Sequence, residues 1–165
     1  IRIEKAGPKK FHSTQTGLIN EVSKEVDMEN CNTVNTPALT TPLGIDKLGE
    51  PFTEDWDYAS IVGMLMYLAN NSRPDIAYAV HQCARFTHCQ RNSHSVAIKR
   101  ILRYLQGTKT KGMFIEPSQK LQVDCYVDAD SVGLCGVEDD QNPICIKSRT
   151  CYLIMFMGTS FTVGL

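Results

Sequence analysis

The chain has 165 residues and a mass of 18.4 kDa, with 42% apolar and 21% charged side chains, 11 Gly and 7 Pro. That balance excludes wholesale disorder, a collagen repeat and a long coiled coil, and it leaves room for one core or two small ones but not for a full polymerase. The net charge of −1 hides a segregation: residues 73–111 hold eight Lys/Arg (Arg73, Arg85, Arg91, Lys99, Arg100, Arg103, Lys109, Lys111) against the single acid Asp75, so this stretch is +7 and the remainder −8.

Along the chain, Leu18, Ile19, Val22 and Val26 recur at three- and four-residue spacing behind Ser13 and Thr14, which predicts a capped helix over residues 13–28. Residues 30–55 lose this period and carry Asn30, Asn32, Asn35, Pro37, Pro42, Gly44, Gly49 and Pro51, the composition of a connector. Thr53 or Asp55 is positioned to cap a second helix with an apolar face of Tyr58, Ile61, Val62, Leu65, Met66, Leu68 and Ala69, ending near Asn70 and Asn71. Pro74 fits the first position of a third helix, where its missing N–H costs nothing, with Ile76, Ala77, Val80 and Ala84 as its stripe. A fourth helix is expected over residues 93–106 and stops at Gly107; it turns Ala97, Ile98, Ile101, Leu102 and Leu105 inward and leaves Lys99, Arg100 and Arg103 outside.

Beyond Gly112 the period becomes two. Residues 113–115, an alternation of Leu121, Val123, Cys125 and Val127 with polar partners, and residues 150–157 all read as strands, with residues 138–142 as a hairpin loop. The expected architecture is therefore α+β in three parts: 1–52 with one helix and a Pro/Asn-rich linker, 53–110 a helical unit, and 111–165 a β module. The apolar tail, residues 153–165, is expected to be uncovered and to invite pairing with another chain.

Seven cysteines with no Cys-x-x-Cys pair indicate reduced thiols and an intracellular setting, cytoplasm or nucleus. The longest apolar stretches, 61–69 and 151–157, fall far short of the ~20 residues of a membrane-spanning helix, so no membrane partner is expected. Residues 1–10 open on Ile without a charged-then-apolar leader and read as the interior of a longer frame. His81, Cys83, His88 and Cys89 are chemically acceptable zinc ligands, but on one helix Cys89 falls about 100° away from His88, so buried thiols and a surface imidazole are the expected outcome.

Several blocks carry a resemblance: Thr16-Gly17-Leu18-Ile19, Thr36-Pro37, the run 58–69 (YASIVGMLMYLA), the run 72–80 (SRPDIAYAV), the run 99–108 (KRILRYLQGT) and Asp128-Ala129-Asp130. In this order the chain resembles a copia-type retrotransposon polyprotein through about Gly158. The resemblance implies the thumb and connection of a reverse transcriptase running into the first strands of an incomplete ribonuclease H fold. It implies Mg²⁺ for the parent enzyme and none for this chain alone. The family's Tyr-x-Asp-Asp turn has no counterpart, because Ala129 breaks the carboxylate pair after Tyr126-Val127-Asp128. Asp128 matches the first ribonuclease H carboxylate, and Asp130 is a weaker metal candidate; alternation places Asp124 on the same face. The family's downstream Glu helix has no match, Ser131 stands where an aromatic is usual, Cys151 where Gly is usual, and 159–165 do not read as the family's Trp-containing strand. A two-metal phosphodiesterase needs several carboxylates, so the expected role is at most sequence-independent binding of an RNA or DNA duplex through Arg73, Arg91, Lys99, Arg100, Arg103 and Lys109. The remainder of a polyprotein is the other expected partner. The alternatives are metal-dependent ribonuclease activity completed by a longer frame, and a decayed remnant without function.

Overall fold

The computed structural model describes residues 1–118, 120–130 and 149–164. Its elements run β1 (Arg2–Lys5), β2 (Phe11–Thr14), α1 (Thr16–Glu25), α2 (Tyr58–Asn71), a 3-10 turn (Pro74–Ile76), α3 (Ala77–Ala84), α4 (Asn92–Gly107), β3 (Met113–Ile115), β4 (Val123–Asp130), β5 (Arg149–Phe156) and β6 (Thr159–Gly164). They divide into two compact units: Ile1–Arg2 with Thr14–Met113, and Ile3–Ser13 with the described residues from Phe114 onward.

The first unit is helical. Its core is built from Ile19 and Val22 of α1, Ile61, Leu65 and Leu68 of α2, Ile76 and Val80 around α3, and Ile98, Ile101, Leu102 and Leu105 of α4, each at most 2% exposed. Burial of each such side chain contributes on the order of 1.5–3 kcal/mol. Helix α1 of the 1–52 segment shares this core with the three helices of 53–110.

Helix α1 is shorter than the periodicity suggests at both ends. Residues 11–14 pair as β2, and Asp27 takes a left-handed conformation, φ 54°. The Met28 N–H then reaches Ser23 O (2.7 Å) and the Asp27 N–H reaches Lys24 O (3.1 Å), the paired bonds of a Schellman closure. Helix α2 starts later than Thr53 or Asp55 would place it. Asp57 is the cap, its carboxylate accepting the Ser60 N–H at 2.7 Å. The preceding residues are held outside the helix by Phe52, which packs edge-on against both Trp56 and Tyr58. Pro74 opens a 3-10 turn before α3 begins.

The second unit holds two three-stranded sheets, ordered β1-β2-β3 and β4-β5-β6. In the first, His12 of β2 stacks on Phe114 of β3 with centroids 4.4 Å apart, while Lys10 pairs with Glu116 at 2.9 Å. In the second, β4 and β5 are antiparallel with Val123 opposite Phe156, Asp128 opposite Cys151 and Asp130 opposite Arg149. Residues 159–164, part of the apolar tail 153–165, return antiparallel to β5, with Phe156 opposite Thr159 and Tyr152 opposite Gly164. The two residues between them, Met157 (φ 53°) and Gly158 (φ 76°), are both left-handed, as a tight two-residue hairpin requires. Helices and antiparallel sheets in separate units make the fold α+β, as expected. The loop expected at 138–142 lies outside the described residues.

Candidate nucleic-acid interface

The basic helix α4 places Ile98, Ile101, Leu102 and Leu105 in the core, so Val96, Lys99, Arg100 and Arg103 follow the i, i+3, i+4, i+7 rule along another stripe. This stripe is not an open solvated face. It meets the connector, and its three cations are half-buried. The Arg103 Nε donates to Asn32 O (2.6 Å), the Arg100 Nη2 to Thr36 Oγ1 (2.8 Å), and the Lys99 Nζ to Glu54 Oε1 (2.7 Å). Ser95 Oγ also donates to Glu54 Oε1 at 2.9 Å. The Lys99 hydrogen bond is the main reason the Glu54 carboxyl sits below its usual range. The charges of the stripe therefore differ in kind: Lys99 is matched by a carboxylate, whereas Arg100 and Arg103 donate to neutral oxygens among the described residues.

Arg73 departs most from the sequence reading. It is 1% exposed, and its guanidinium faces inward. Nε and Nη2 grip the Asp75 carboxylate bidentately at 2.9 and 2.8 Å, Nη1 donates to Thr108 O at 3.0 Å, and Nη2 donates to Thr108 Oγ1 at 2.7 Å. The Tyr104 ring lies 5.6 Å away, and its hydroxyl donates to Asp75 Oδ2 at 2.7 Å. Burial works to raise the Asp75 carboxyl, but the Arg73 and Tyr104 hydrogen bonds with the Arg73 charge outweigh it and hold it below the carboxylate norm. Arg73 thus staples the 3-10 turn to the end of α4, and with its donors turned inward it has no face to offer a phosphate. Arg91 and Lys109 are half-buried near the two ends of α4.

A residue that the pattern did not single out organises the start of α4. His94 is fully buried and stacks on Phe86 with centroids 4.2 Å apart. Its Nδ1 accepts the Arg91 N–H (2.9 Å), so the proton sits on Nε2, which donates to the Gly44 carbonyl (2.8 Å). Burial pulls its pKa down, partly opposed by the Gly44 bond. A histidine at i+3 from a helix-entering residue is the only sequence trace of this role.

Asp124 and Asp128 of β4 have different partners. Asp128 is exposed, with Cys151 Sγ as its neighbour at 3.9 Å, and Asp124 accepts from Gln122. The Asp130 side chain lies outside the described residues. Among the described residues no group of three His, Cys, Asp or Glu is placed to hold a metal ion. The zinc alternative has no support in the placement of its residues. Cys83 is buried, its thiol pushed up to about 12 mainly by burial, while His88 and Cys89 are exposed. Among the described residues no helix is long and apolar enough to cross a membrane.

Comparison with curated proteins finds 37% identity over 126 residues to the retrovirus-related Pol polyprotein from transposon RE1 of Arabidopsis thaliana, covering 76% of this chain and 8% of that polyprotein. The polyprotein from transposon RE2 of the same plant is 34% identical over 126 residues, 76% of this chain and 9% of its own length. The one from transposon TNT 1-94 of Nicotiana tabacum is 35% identical over 157 residues, 91% of this chain and 11% of its own length. The chain is a homologue of copia-type transposon Pol polyproteins. This Pol homologue spans about a tenth of the length of the polyproteins it matches. No family model and no solved structure matches it.

Proposed function

We propose that this Pol homologue corresponds to the region where a reverse transcriptase thumb and connection lead into ribonuclease H, and that its helical unit holds an RNA or DNA duplex through phosphate contacts without reading sequence. The observation that carries this is the pair Arg100 and Arg103, one turn apart on α4 with neutral oxygens as partners, so that their charge is left for an anion. Arg91 and Lys109 extend the same positive field toward the helix ends, whereas Arg73 is buried and Lys99 is matched by Glu54. The chain alone is proposed to catalyse nothing: Asp128 is the family-matching carboxylate, and any Mg²⁺ chemistry belongs to a longer frame that supplies its companions. The remainder of such a polyprotein is the natural covering for β4, where Val123, Tyr126 and Val127 are 59–66% exposed. The setting is intracellular.

Fluorescence anisotropy with labelled hybrids and duplexes of unrelated sequence tests this. Affinities are expected to agree within a few-fold across sequences. Arg100→Gln with Arg103→Gln is expected to weaken all of them about tenfold or more, as loss of two charge-assisted phosphate contacts would. The matched Lys variants, which keep the charge, are expected to restore most of the binding. A strong preference for one sequence, or equal binding by the Gln variants, would overturn the proposal.

A further inference from the structure

Residues 37–46 of the connector do not lie flat on the helices. They are moored around their edges by side-chain bonds: Arg100 to Thr36, Arg85 Nη1 to Leu43 O at 3.2 Å, and His94 to Gly44 O at 2.8 Å. Beneath this strap is a cavity of about 680 Å³, within the roughly 300–1,000 Å³ range of small-molecule sites. Its walls are mostly apolar, with Ala38 and Leu43 on the strap, Ala79 on α3, and Val96, Ala97 and Ile101 on α4. Three cations reach the same lining, Lys99, Arg100 and Arg103, against one acid, Asp46. Glu54 matches Lys99, so the positive surplus belongs to Arg100 and Arg103.

We propose that this cavity binds a small amphipathic anion, with an aromatic or aliphatic body under the strap and one carboxylate, phosphate or sulfonate head at Arg100 and Arg103. An apolar space of this size favours carbon, and a guanidinium pair at its margin favours an anionic head over a neutral one. The site is probed without nucleic acid, so its test does not depend on duplex binding. The two readings share the arginines, so an occupied cavity is expected to weaken duplex binding.

The test is a titration of the full chain with 8-anilinonaphthalene-1-sulfonate, read by fluorescence. One saturable site per chain is expected. Val96 is 60% exposed, so Val96→Glu leaves the core intact while placing a like charge on the cavity wall. It is expected to lower affinity roughly tenfold, as is Arg100→Gln with Arg103→Gln. Ala97→Trp, which fills the space, is expected to abolish the signal. Displacement of the dye by decanoate marks a lipid-derived acid and displacement by adenosine monophosphate a nucleotide, and either supports the site. Displacement by neither, or an unchanged titration in Val96→Glu and the double arginine variant, overturns it.

Discussion

Two buried polar residues, Arg73 and His94, fasten the helical unit. Removing the Arg73 guanidinium strands the Asp75 carboxylate. A fully buried pair broken this way loses about 3–5 kcal/mol, and because the Asp75 side chain is 36% exposed, Arg73→Met is expected to cost about 2–3 kcal/mol in urea unfolding. His94 accepts the Arg91 N–H, which an imidazolium cannot do, and its folded pKa lies below the 6.5 of a free imidazole. The unfolded chain therefore takes up that proton first. Stability is expected to be complete above about pH 6.5 and to fall as acid is added, a limb that His94→Ala removes in thermal melts. Glu54 and Asp75 have depressed values, so they contribute above their unfolded 4.5 and 3.8 and add a second loss below that range. Neither role was legible. Arg73 was counted with the surface charge because a charge run shows spacing but not which side chain finds a carboxylate two residues away, and a lone His carries no sign of its two backbone partners.

Elements with strong apolar periods were legible to within a few residues. The runs in α2 and α4 each bury one face, which sequence spacing states directly, whereas β4 forms where its alternation predicts but leaves Val123, Tyr126 and Val127 exposed on both faces. Strands β1 and β2, four residues each, are too short and polar to show a period, and β6 depends on a turn in which Met157 adopts a conformation that its type rarely takes. Gly158→Val is expected to destabilise that hairpin by about 1–2 kcal/mol, visible as faster amide exchange over 159–164. In α4, spacing showed that Lys99, Arg100 and Arg103 share a face, but not that the connector lies opposite. Lys99→Gln separates the two kinds of cation: because Glu54 already neutralises Lys99, it is expected to lower stability by about 0.5–1 kcal/mol in urea melts while leaving duplex affinity within twofold.

At the scale of the molecule, the α+β class and the change from helical to strand period near residue 112 were readable because period is a local property. The division into units was not, since it joins Ile3–Ser13 to residues more than 100 positions later. The homologous polyproteins extend far beyond this chain, and the account proposed for it is duplex binding without catalysis of its own. The most direct test of that account is the salt dependence of hybrid binding between 50 and 200 mM for the natural sequence and for Arg100→Gln with Arg103→Gln. Each phosphate contact adds about 0.9 to the slope of log affinity against log salt, so the natural chain is expected to show a steep line and the variant one shallower by about 2. A flat line for the natural chain, or the same slope in a variant whose melting curve is unchanged, would contradict it.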